Sequence, residues 1–66
     1  MMDYDFKNIV FKDCVIKGGD FASGIFDHCI FHNAKFKGSA LVGVRFNNCL
    51  FDGISFQDCQ TSFSIN

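Results

Sequence analysis

The chain has 66 residues, six basic against seven acidic, and a formal net charge of −1. That length makes one small domain, and the balanced charge gives no electrostatic reason to expect nucleic acid or an anionic membrane as a partner. A hydrophobic share of 48% excludes a disordered chain, no apolar run reaches the ~18 residues of a membrane span, and a chain without Glu and with only two Leu argues against a helical domain.

Taken in chain order from Phe6, every fifth residue is large and apolar: Phe6, Phe11, Ile16, Phe21, Phe26, Phe31, Phe36, Leu41, Phe46, Phe51 and Phe56. At the frequency of Phe, Ile and Leu here, such a run arises by chance about once in a million. Two residues before each large one stands a residue that is mostly small: Tyr4, Ile9, Cys14, Gly19, Gly24, Cys29, Ala34, Ser39, Val44, Cys49, Ile54 and Cys59. A separation of two is the alternation of a strand, so both columns point the same way. The remaining positions hold Lys, Asp, Asn, Gly, Ser and His, which favour turns. Each unit reads as a very short strand and a turn, and a chain that turns every five residues coils around an interior lined by both columns.

Units such as Cys29-Ile30-Phe31-His32-Asn33, Ala34-Lys35-Phe36-Lys37-Gly38 and Cys49-Leu50-Phe51-Asp52-Gly53 resemble the pentapeptide-repeat family, with its consensus A-(D/N)-L-x-x. The likeness runs from about residue 4 to residue 61. It implies an all-β fold: a right-handed quadrilateral β-helix, four units to the coil, about three coils of 20 residues, in a single domain over residues 1–66. The chain departs from the consensus in preferring Phe at the central position. Asp or Asn is also rare just before it, where Val10, Val15, Ile25, Ile30, Lys35, Arg45 and Leu50 stand.

With twenty residues to the coil, Phe6, Phe26 and Phe46 stack on one side. Phe11, Phe31 and Phe51 stack on the next, and Ile16, Phe36 and Phe56 on the third. The fourth side has Phe21, Leu41 and Thr61, where the pattern breaks. Phe63 and Ile65 then fall out of phase, and residues 62–66 read as a cap or tail over the last coil. Two of three coils are terminal, so the stack is expected to be marginal alone and to be covered by a second copy or a partner.

Little here suggests chemistry. Cys14, Cys29, Cys49 and Cys59 all lie in the small inward column without a C-x-x-C pair, so they read as buried, reduced core thiols, not zinc ligands. Cys29 and Cys49 stack on one side, at a spacing that oxidation could bridge. His28 and His32 fall at outward turn positions. No Gly-x-Ser-x-Gly and no paired carboxylates occur, and Gly18-Gly19 opens no phosphate-binding motif. The expectation is a non-enzyme with no catalytic, metal or cofactor-binding residues. Lys12, Lys17, Lys35 and Lys37 make a modest basic patch, short of the positive excess of a nucleic-acid binder. The outer surface offers one anomaly: Val10, Ile30 and Leu50, twenty apart, form a vertical apolar stripe flanked by Val15 and Ile25. Val10, Ile25, Ile30 and Leu50 are the candidate interface; strand propensity is the plain alternative for such residues.

The expected function is a non-catalytic repeat module that mediates protein–protein contact or gives structural support, with a protein partner or a homodimer. The resemblance implies two alternatives. One is a DNA-mimicking protein that engages gyrase or another topoisomerase, against which count the three coils, the net charge of only −1 and the few Asp in the position just before the large residue. The other is a fragment of a larger repeat-containing bacterial effector. Met1-Met2-Asp3-Tyr4-Asp5 has neither a basic nor an apolar leader region, so a cytoplasmic location is expected.

Overall fold

The computed structural model describes residues 4–66; Met1–Asp3, part of the segment read for a leader, lie outside the described residues. The described residues form seven strands: β1 (Asp5–Lys7), β2 (Val10–Lys17), β3 (Ile25–Asp27), β4 (Ile30–Lys37), β5 (Ala40–Asn47), β6 (Leu50–Gln57) and β7 (Gln60–Ile65). They make two parallel sheets, one ordered β1-β3-β5-β7 and the other β2-β4-β6. Pairing is offset by twenty residues: Phe6 lies beside Phe26 and Phe46, Phe11 beside Phe31 and Phe51, and Ile16 beside Phe36 and Phe56. The fold is a β-solenoid of about three coils.

What turns the chain is a left-handed residue at every fifth position. Asn8, Asp13, Gly18, Ser23, His28, Asn33, Gly38, Gly43, Asn48, Gly53 and Asp58 all have φ between 51° and 87°. Gly, Asn and Asp tolerate this region, whereas other side chains meet the following carbonyl there. The eight-residue strands run through these corners, so β2, β4, β5 and β6 each cover two sides of the solenoid.

Between corners the large residues stack inward. Phe6, Phe26 and Phe46 have ring centroids 4.9 and 5.1 Å apart and nearly parallel planes, and Phe11, Phe31 and Phe51 follow at 4.9 and 5.5 Å. Neighbouring sides meet edge-on, as Phe26 and Phe31 do at 65°. Both arrangements suit the ring quadrupole. Full burial belongs to the middle of the stack: Phe26, Cys29, Phe31, Ala34, Phe36, Leu41, Val44 and Phe46 are buried, while Phe6, Phe11, Ile16, Phe51 and Phe56 are half-buried.

The first coil departs from the pattern on its fourth side, where no strand forms. Asp20 makes a single parallel bridge to Ala40 and accepts the Ala22 amide at 3.2 Å, and Gly24 donates to the Phe21 carbonyl at 2.8 Å. The Phe21 ring folds across Gly19, where a Cβ would stand 2.1 Å from a ring carbon. Tyr4 stacks on Phe6 at 6.0 Å and meets Phe21 edge-on at 5.9 Å.

The out-of-phase segment is a strand. In β7 the pairing with β5 slips by one residue between Val42 and Arg45, so that Ser64 lies beside Arg45 and Ile65 beside Phe46. The slip omits a corner opposite Gly43 and turns Phe63 inward, onto Phe46 at 5.3 Å and Phe56 at 5.2 Å.

Candidate functional site

The outward surface of the second side is built by β2, β4 and β6, and their register fixes it. Val10, Ile30 and Leu50 lie directly beside one another, and so do Lys12, His32 and Asp52. Phe11, Phe31 and Phe51 point inward between the two columns, because strand residues two apart share a face. Val10 is 59% exposed, Ile30 38% and Leu50 60%. Three apolar side chains therefore line up, at the ~4.8 Å spacing of paired strands, in contact with solvent. β-branched residues favour strands and account for Val10 and Ile30 singly; Leu50 lacks that preference.

Ile25 is not part of this stripe. It lies on the other sheet, beside Asp5 below and Arg45 above, in a shallow cleft of about 360 Å³ with Tyr4, Ser23 and Gly43. Val15, 53% exposed, has Lys35 as its neighbour in the next coil, so its column is mixed.

The charged column beside the stripe runs from basic to acidic along the axis. His32 lies within β4, not in a turn, and its Nδ1 is 2.7 Å from Asp52 Oδ2. A carboxylate can only accept, so Nδ1 carries the hydrogen. Lys12, at the other end, pairs with no carboxylate among the described residues. His28 is at a corner with φ 56°, its Nδ1 2.8 Å from Asp27 Oδ1. Asn33 Nδ2 donates to Asp13 Oδ1 at 2.9 Å across one coil. Lys17 and Lys37 are neighbours, Lys35 lies beside Ser55 and Lys12 beside His32, so the basic patch spreads over three columns. Among the described residues no group of three His, Cys, Asp or Glu side chains converges as a metal site.

The inward thiols are built like the buried hydroxyl of Ser39. Ser39 Oγ donates to the Ile16 carbonyl, and Cys29, Cys49 and Cys59 donate to the carbonyls of Phe6, Phe26 and Phe36, at 3.2–3.4 Å. In each case the acceptor belongs to the large residue 23 positions earlier. All four cysteines are free; Cys29 is buried and Cys14, Cys49 and Cys59 are half-buried. Burial, and then the neighbouring Cys29, push the Cys49 thiol above its ordinary value, although a backbone hydrogen bond pulls the other way. A thiol whose charged form is disfavoured is a poorer nucleophile and metal ligand, so Cys49 reads as a core thiol.

Sequence reasoning from the inward columns missed the acid–base gradient of Lys12, His32 and Asp52 and the cross-coil pair of Asn33 with Asp13. The signal was available: the same count of twenty, applied to outward positions, aligns them.

No helix is long and apolar enough to cross a membrane among the described residues. No curated protein and no solved structure matches the chain. The family model described as pentapeptide repeats (9 copies) matches residues 25–64, which is 40 of the 66 residues. With its twenty-residue register and its left-handed corner at every fifth position, the chain belongs to the pentapeptide-repeat family.

Proposed function

We propose that the protein is a non-catalytic repeat module that works by contact with another folded protein, and that the stripe of Val10, Ile30 and Leu50 is its contact surface. The β-solenoid of pentapeptide repeats is consistent with a non-catalytic module. The observation that carries the reading is the alignment of three exposed apolar side chains in neighbouring strands, where other exposed apolar residues such as Val15 and Val42 stand in mixed columns. Single exposed apolar residues are ordinary; a contiguous column marks contact with a partner.

Ile30 is central to the stripe and points outward, so Ile30→Lys removes the apolar continuity without entering the core. Sedimentation velocity of the wild type should show association that Ile30→Lys reduces, with circular dichroism unchanged and, at dilutions where both proteins are monomeric, the same urea midpoint. Indistinguishable sedimentation of the two proteins at every accessible concentration overturns the stripe as a contact surface.

A further inference from the structure

The second side carries two parallel columns, and together they say which partner fits and in what orientation. The apolar column has Val10, Ile30 and Leu50; the column two residues on has Lys12, His32 and Asp52. Lys12 and Asp52 are exposed and occupy opposite ends, with His32 between them and bonded to Asp52 through Oδ2. The other carboxylate oxygen, Asp52 Oδ1, has no hydrogen bond to it among the described residues.

Resting on the reading of the stripe as a contact surface, we propose that the partner is a second copy of this chain, docked face to face with its coils running antiparallel, so that Val10 meets Leu50 of the other copy and Lys12 meets its Asp52. A symmetric dimer has a two-fold axis lying in the contact plane. Two directions suit a stack of strands. An axis along the solenoid reverses the order of the columns, so that when the apolar columns meet the two charged columns lie on opposite flanks and form no pairs. An axis along the strands keeps each column opposite itself and inverts the coils. Either axis can place Ile30 on its own copy, but only the second sets Val10 against Leu50 at both ends and brings Lys12 to Asp52 twice. The free oxygen of Asp52 is the one available to accept from the incoming lysine, while His32 keeps the other. The apolar column supplies the contact, and the two ion pairs fix its direction and exclude the parallel alternative. The arrangement is closed: each copy uses its second side once, so association stops at two.

Charge reversal tests the orientation. Lys12→Asp sets like charges opposite each other at both ends and should weaken the dimer about tenfold. The double variant Lys12→Asp with Asp52→Lys restores both pairs in reverse and should recover wild-type association. Cross-linking gives an independent reading. Ile30→Cys sits on the axis and should form a covalent dimer on mild oxidation with oxidised glutathione, whereas Val10→Cys, facing Leu50, should not; wild type supplies the blank for the native thiols. Urea midpoints of all variants confirm folding. If Ile30→Lys abolishes association but Lys12→Asp leaves it unchanged, or if Val10→Cys cross-links as readily as Ile30→Cys, the antiparallel pairing falls and the stripe stands. A monomeric wild type overturns the pairing together with the stripe. A species larger than a dimer overturns the closed arrangement.

Discussion

At the scale of single residues, two demands recur every five positions and explain why the chain can hold so few residue types. The inward large position must fill the solenoid, and Phe does so by stacking on its counterpart one coil away, as Phe31 does on Phe11 and Phe51. The corner must accept a left-handed backbone, which accounts for Asn, Asp and Gly at most of the eleven corners. His28 is the bulkiest residue to occupy one. A left-handed conformation costs an ordinary residue about 1–2 kcal/mol, and a β-branched one more. His28→Val is therefore expected to lower stability by about 2 kcal/mol, whereas His28→Gly should leave it within a few tenths. Urea midpoints at constant m-value measure both, and equal midpoints for the two variants would contradict the account of the corner.

At the scale of elements, what differs between coils is how a side ends and what fills it. On the fourth side of the first coil, Asp20–Gly24 form a turn, and Phe21 lies over Gly19 instead of joining a strand. Gly19 stands in the column that elsewhere holds Ser39 and Cys59, so glycine is required here by the ring above it. In Gly19→Ala the added methyl must displace the Phe21 ring from Tyr4, Phe6, Phe26 and Phe36. The expected cost is about 1–3 kcal/mol, read as a lower thermal midpoint, and Gly19→Ala combined with Phe21→Leu should regain part of it. This element also shows where the sequence was silent. The five-residue count placed Phe21 correctly inward but carries no information on how its ring lies, which depends on Tyr4 and Gly19 at once. The loss of phase after Thr61 was visible at Phe63, but its form was not. A skipped corner keeps the strand ladder and moves Phe63 inward, and only the pairing of Ser64 with Arg45 reveals it. The stripe was legible because Val10, Ile30 and Leu50 obey the same count of twenty. Ile25 was read as flanking the stripe, and its sheet places it on the adjoining side between Asp5 and Arg45.

At the scale of the molecule, every named strand pairing joins residues about twenty apart, and among the described residues no strand pairs with its neighbour in sequence. This uniform separation has a kinetic consequence. Dividing the offset of 20 by the chain length of 66 gives a relative contact order of about 0.3, above the range of about 0.16–0.22 typical of slow all-β domains. No local hairpin can form first, so the chain must close one whole coil before any ladder bond is made. Once one coil has closed on the next, each further five-residue unit lays down on an existing edge without another large loss of loop entropy. Refolding should therefore show one slow barrier and then rapid propagation, with a single exponential on the timescale of about milliseconds to seconds. The chain contains no proline, so no minutes-long isomerisation phase should follow. Stopped-flow dilution from urea measures this directly; a dominant microsecond phase, or a proline-like slow phase, would show that something other than closure of the first twenty-residue loop limits the rate.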